Sequence, residues 1–207
     1  MKVASGMMAW MMMLAVANGQ GLGRAALPEA RSDSFFGGGT WGIKAGLGWA
    51  VADWEFGNAD GASGAFTPQV SLFYKAADFL DVNLSGLFLT VDDSGDVYGD
   101  TEATMVRLAL GMRGWFNTGT RLVPYLGVGI GYYILDSDAD NARVSVDDAP
   151  GAFLEGGLTF QVMDNFFVGA EVSYDFLLGS ANARVNGMSD DFDVTALTIG
   201  LTATLMY

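Results

Sequence analysis

Cysteine and histidine are both absent from this chain of 207 residues. Without thiols there are no disulfides, no thiolate metal site and no cysteine nucleophile. Without imidazole the commonest general base is missing, and no motif suggests a serine paired with lysine, so the sequence reads as a non-enzyme with no cofactor. Basic residues are scarce: 10 Lys and Arg stand against 24 Asp and Glu, for a net charge of -14. Nucleic acid is therefore excluded as a partner, because its phosphates need cations. Proline is held to 4 residues against 29 glycines, which suits turns and small packing positions better than a stiff linker. After the first segment the chain also lacks any apolar run near the ~20 residues that a membrane helix requires. Yet 51% of its residues are hydrophobic.

The first segment explains where such a chain goes. Lys2 supplies a positive start, Met7 to Val16 an apolar core, and Ala15-Val16-Ala17 a small-x-small cleavage pattern. Residues 1–17 are expected to be a cleaved signal peptide, residues 18–39 a periplasmic lead-in, and residues 40–207 a single domain. An exported chain that is apolar without helical spans must distribute its apolar residues by alternation.

Alternation is clearest in Leu122 to Leu135. Leu126, Val128, Ile130, Tyr132 and Ile134 fill one face, and Gly127, Gly129 and Gly131 the other. A period of two means a strand. Taken alone, this stretch fits a lipid-facing strand whose glycines line a narrow lumen, or a strand in a doubly covered soluble sheet. The same pattern recurs at Thr40–Val51, Ala65–Lys75, Phe79–Val91, Glu102–Phe116, Gly151–Val162, Asn165–Leu178 and Phe192–Tyr207, with a bulge expected after Gly86. Eight strands of this length cross a bilayer at a tilt. Connections at Lys75–Asp78, Asn117–Arg121 and Met163–Asp164 are short, whereas those at residues 52–64, 92–101, 136–150 and 178–191 are long. Strict alternation of short and long connections predicts an all-β, eight-stranded antiparallel up-and-down transmembrane β-barrel, with both termini in the periplasm.

The glycine-rich strand from Pro124 to Tyr132, the terminal Gly200-Leu201-Thr202-Ala203-Thr204-Leu205-Met206-Tyr207 and the alternating connections resemble the small eight-stranded outer-membrane barrel family. That family is typified by the transmembrane domain of outer-membrane protein A and by outer-membrane protein X. The resemblance spans roughly Phe36 to Tyr207. It implies a monomer in the bacterial outer membrane, in contact with membrane lipid and lipopolysaccharide. It also implies recognition by the barrel-insertion machinery through Ala203, Leu205 and Tyr207, where Ala203 is smaller than the family's usual residue.

Three constellations are candidates for function. Lys44, Arg107, Arg113, Glu155, Glu171 and Asp175 fall on the predicted lumen face, with Asp81 a further candidate. Counting from strand ends places Arg107, Glu155 and Asp175 in the outer half and Lys44, Arg113 and Glu171 lower. Ion pairs at matching depth make a plug or, if they re-pair, a gated pore. Asp136, Asp138, Asp140 and Asp147 have calcium-loop spacing, but Asn141 stands where the turn glycine belongs. The plainer reading is a solvated acidic rim. Finally, Phe73, Leu87, Trp115, Tyr125, Tyr133, Phe153 and Phe167 share the lumen parity. This resembles the outer-membrane protein W type, associated with passage of small hydrophobic molecules, and it equally describes ordinary interior packing. The expected role is structural or surface-interactive. A narrow channel for ions or apolar solutes and a loop-mediated adhesin are the alternatives.

Overall fold

The computed structural model describes residues 38–56, 59–95, 99–139, 144–185 and 188–207; the side chains of residues 54–63, 91–102, 137–145 and 185–190 are outside the description. Residues 1–37, with the expected signal peptide and most of the lead-in, also lie outside the described residues. Ten β-segments follow one another: β1 (Trp41–Phe56), β2 (Ala59–Ala77), β3 (Leu80–Gly95), β4 (Gly99–Trp115), β5 (Leu122–Ala139), β6 (Val144–Val146), β7 (Ala149–Met163), β8 (Phe166–Leu177), β9 (Ala181–Val185) and β10 (Met188–Met206).

Eight of them form a closed wall in the order β1-β2-β3-β4-β5-β7-β8-β10, and β10 pairs back onto β1 from Gly42↔Met206 to Phe56↔Phe192. All pairings are antiparallel. Closure removes the unpaired edges that would be intolerable in lipid. The two extra segments do not add wall positions. β6 and β9 are the outer continuations of β7 and β8, broken off at residues 147–148 and 178–180; they pair with each other, and β9 pairs with β10. Gly179, with φ of +116°, supplies the second break, a backbone state that costs little only for glycine. At the first break Leu135 has left the β5–β7 ladder, which ends at Tyr133↔Ala149, and its N–H donates to Asp148 Oδ1 at 3.2 Å.

The outward face carries Leu47, Leu72, Leu84, Leu110, Ile130, Leu154 and Leu201, all exposed, as a lipid-facing belt. Aromatic girdles bound it. Trp41, Tyr74, Phe116 and Tyr207 ring the end that holds the short turns and the first and last wall residues, and Trp49, Phe66, Phe88, Tyr132 and Tyr174 ring the other. Trp41 stacks on Tyr74 at 4.8 Å between ring centroids, and Trp49 meets Phe66 edge-on at 5.1 Å. Eight residues of β1 separate the girdles, about 26 Å of strand before tilt, in keeping with an apolar band ~25 Å tall.

Two expectations need correction. The long connections are mostly hairpin: β1 and β2 pair to Phe56↔Ala59, and β3 and β4 to Gly95↔Gly99. Backbone groups beyond the bilayer still need partners, and extending the ladder supplies them. Nor is there a bulge at Gly86. The β3–β4 register runs unbroken from Leu80↔Gly114 to Gly95↔Gly99, and the irregularities fall instead at Lys75/Ala77 and Gln161/Met163. Parity seemed to blur because the lumen face itself turns apolar there, with Leu87 and Leu89 both buried.

From the level of the outer girdle outward the wall divides into two leaflets. The β2–β3 ladder stops at Gln69↔Leu87, next to Pro68, which has no N–H to donate. Past this point β2 pairs only with β1 and β3 only with β4, while outer β5 pairs only with β4. One leaflet is thus β3-β4-β5 and the other β2-β1-β10-β9-β6. An apolar core lies between them: Leu87, Leu89, Met105, Tyr133 and Leu135 from the first leaflet meet Ala50, Ala52, Ala181, Val194 and Ala196 from the second. Large side chains on one sheet against alanines on the other let the two approach closely.

Candidate functional site

Below that core the lumen holds charge. Lys44, Lys75, Arg107 and Arg113 are buried there together with Asp81, Glu155, Glu171 and Asp175, all at most 7% exposed. Four cations balance four anions, so the acidic excess of the chain lies outside this set. A single buried charge costs several kcal/mol, and a compensated set is what a lumen this narrow tolerates.

Each group is placed by strand parity, and two of the contacts are made across a glycine. Asp81, Arg113, Gly127, Glu155 and Ser173 lie in one register row running across β3, β4, β5, β7 and β8. Because Gly127 has no side chain, Arg113 Nε reaches Glu155 Oε1 at 2.8 Å over it. A second row repeats the device: Tyr125, Gly157 and Glu171 are successive partners, and the Tyr125 hydroxyl donates to Glu171 over Gly157. A Cβ on Gly157 would come within 2.5 Å of the Tyr125 ring and hydroxyl.

Two groups result. In the lower one Lys44 pairs with Glu171 and, at 3.2 Å, with Glu155. Gln69 Nε2 donates to Glu171 at 2.7 Å, and Arg113 donates to Ser71 Oγ at 2.6 Å. Asp81 stands 3.7 Å from Arg113 Nε and accepts the Trp115 indole N–H at 2.6 Å. Lys75 lies over the Trp115 ring at 5.3 Å. In the upper group Arg107 Nη1 meets Asp175 Oδ1 at 2.5 Å, the Tyr133 hydroxyl donates to the same oxygen at 2.9 Å, and the guanidinium sits 4.3 Å over the Phe153 ring. Aromatic residues close the lower end, where Phe73, Trp115, Val123, Tyr125, Phe167 and Met206 cluster.

All six residues of the predicted ion-pair set thus converge on the lumen, and Asp81 joins them. Their pairing differs in one respect: Glu155 belongs with Arg113 and Lys44, not with Arg107. Counting from strand ends misplaced it because strands in a closed barrel are staggered, so equal counts are not equal heights. Lys75, which the sequence places where a strand ends and a short turn begins and outside the ion-pair set, continues the lumen parity of Gln69, Ser71 and Phe73, and that parity is the signal for it. Tyr125, Tyr133 and Trp115 were read as apolar lining, whereas each also donates a hydrogen bond to a buried carboxylate. Nothing in the sequence gives their reach.

Of the aspartates with calcium-loop spacing, the side chains of Asp136 and Asp147 are described. Asp136 is exposed on β5, opposite Thr104, and Asp147 is exposed at the β6–β7 break, where its N–H donates to Asn182 O at 2.9 Å. Asp140 and the Asp138 side chain lie outside the described residues. No cluster of metal-ligating side chains occurs among the described residues. Ala203 and Tyr207 are exposed and Leu205 half-buried on the outward face of β10. Tyr207 and Trp41 exchange backbone hydrogen bonds at 2.8 and 3.2 Å, closing the barrel.

The family model described as outer membrane protein beta-barrel domain matches residues 21–204. No curated protein sequence matches the chain. Among solved structures, outer membrane protein OprG from Pseudomonas aeruginosa is similar with a TM-score of 0.60 at 18% identity, over 81% of this chain and 96% of that one. Neisserial surface protein A gives 0.59 at 17% identity, over 79% and 97%. Outer membrane protein AlkL, solved in lipid bilayers, gives 0.55 at 13% identity, over 90% and 97%. At these identities the likeness is one of fold.

Proposed function

Because the chain belongs to the outer membrane protein beta-barrel domain family and is a bacterial outer-membrane protein, we propose that it is a barrel plugged by ion pairs whose working part is its outer hairpins. The observation that carries this reading is the balanced set of eight buried charges in the lumen, with Lys44, Arg107 and Arg113 ion-paired to Glu171, Asp175 and Glu155. Separating any of these pairs inside a low-dielectric lumen is expensive, so the closed arrangement is the favoured one. In this reading the short turns and both chain ends face the periplasm, and the barrel works as a monomer. The belt meets membrane lipid and lipopolysaccharide, and the barrel-insertion machinery reads Ala203, Leu205 and Tyr207. The hairpins project past the membrane, carry most of the acidic residues and present the surface to other molecules. No catalytic role is proposed.

The test is single-channel conductance of the refolded full-length barrel in a planar bilayer, with folding verified by heat-shifted gel mobility. A folded, silent barrel is expected. Discrete conductance that changes with Arg107→Ala or Arg113→Ala would instead identify a pore controlled by the lumen charges.

One observation favours a second reading. The shortest wall ladder, β2–β3, stops beside the apolar outer core, which brings an apolar interior next to lipid-level side chains such as Phe66 and Phe88. A small apolar solute could pass between the leaflets there. Uptake of a lipophilic dye into proteoliposomes, abolished by filling the core with Leu89→Trp, would support that reading over the plugged one.

A further inference from the structure

The lumen wall formed by β8 and β10 carries a run of buried hydroxyls. Thr198, Thr202 and Thr204 point inward along β10, and Ser173 on β8 is the ladder partner of Thr198. None is more than 5% exposed. Their four hydroxyl oxygens have no hydrogen-bond partner among the described residues. The backbone cannot take them up, because β10 is paired with β1 on one side and β8 on the other throughout this stretch. Other lumen threonines do find protein acceptors: Thr67 donates to Phe88 O and Thr159 to Val123 O, each at 3.0 Å.

The ends of this row meet the two ion-pair groups. Asp175 follows Ser173 on the same face of β8, and its Oδ2, the oxygen not held by Arg107, is also without a partner among the described residues. At the other end Lys44 is the ladder partner of Thr204, and Glu171 that of Gly200. Buried hydroxyls left unmatched are costly, whereas a polar-lined space with several donors and acceptors is what bound water requires. Thr202 and Thr204 lie about 6.8 Å apart on one strand face, a gap that one or two waters bridge at ~2.8 Å per hydrogen bond, and Thr198 and Thr202, with Gly200 between them, lie about 13.6 Å apart, a gap that takes about four.

We infer that the β8–β10 wall binds a file of water molecules, held by Ser173, Thr198, Thr202 and Thr204, which links the Arg107–Asp175 pair to the Lys44–Glu171 group. Arg113, Tyr125, Tyr133 and Phe153 fill the half built from β4, β5 and β7. Water so placed solvates the outward atoms of the ion pairs without opening a path for ions. The inference stands apart from whether the barrel conducts.

The test is a pair of measurements on the full-length barrel refolded in micelles, with the near-isosteric double variant Thr198→Val, Thr202→Val as comparison. In nuclear magnetic resonance, cross-peaks between long-lived water and the Thr198 and Thr202 protons are expected in the native protein, and their neighbours at Ser173 and Thr204 should lose them in the variant. The urea midpoint of the variant should be unchanged or lower. If the native protein shows no such cross-peaks, the inference is overturned. A raised midpoint would overturn it as well, because dry orphan hydroxyls are relieved by valine.

Discussion

Arg113 on β4 and Glu155 on β7 are separated by the whole of β5, yet Arg113 Nε lies 2.8 Å from Glu155 Oε1 because the residue between them in the row is Gly127. The pair therefore depends on the absence of an atom.

A Cβ on Gly127 would lie 2.7 Å from Glu155 Cγ and 2.8 Å from Arg113 Cγ. Gly127→Ala should destabilise the barrel by about 1–3 kcal/mol, as overpacking does. Gly86 gives the control: its added Cβ would meet nothing nearer than 3.8 Å. Gly86→Ala should stay within about 0.5 kcal/mol of the parent. Urea unfolding followed by heat-shifted gel mobility measures both.

Removing one member of a buried pair leaves the other charge stranded. Arg107→Ala should cost about 3–5 kcal/mol, because Asp175 is 1% exposed and loses the guanidinium that neutralises it. Arg107→Met combined with Asp175→Leu should recover most of the loss. A double variant as unstable as the worse single one would mean that the pair is not the cause.

At the seam between the leaflets, the Thr67 hydroxyl donates to Phe88 O at 3.0 Å where the β2–β3 ladder has already ended. Thr67→Val keeps the shape and deletes this bond. Amide exchange should accelerate in residues 64–70 and 87–90, while the β1–β10 ladder keeps its protection. Uniform acceleration around the barrel would show that the seam is no weaker than the rest of the wall.

The closing hydrogen bonds of Tyr207 with Trp41 use backbone atoms only, and the Tyr207 side chain is 76% exposed. Tyr207→Ala should therefore leave the folded barrel's urea midpoint close to the parent value while slowing assembly into outer membranes. Ala203→Leu, at an exposed position on the same outward face, should speed it. Assembly kinetics with the insertion machinery, set beside equilibrium unfolding, separate a recognition defect from a folding defect.

Much of this was legible in the chain itself. The residues of β5 declared both faces of the wall, and each of the six ion-pair residues carried lumen parity. Heights were not legible. Glu155 falls with Arg107 on a count along each strand because stagger between strands leaves no local trace, and Lys75 stands where strand and turn meet in the sequence because the β2 ladder runs further than its apolar alternation. The hairpins beyond the girdles were read as loops, since their acidic composition hides strands that persist by backbone pairing.

What the sequence by itself determined is the face of most wall residues and the number of wall strands. A strand's side-chain period is local, and lipid on one side and a narrow lumen on the other select opposite residues at each step. What only the tertiary structure decided is which charge meets which, and that the outer wall splits into two leaflets about an apolar core. Both depend on the stagger with which the sheet closes and on where a ladder such as β2–β3 stops. These are properties of strand pairs that no single strand encodes.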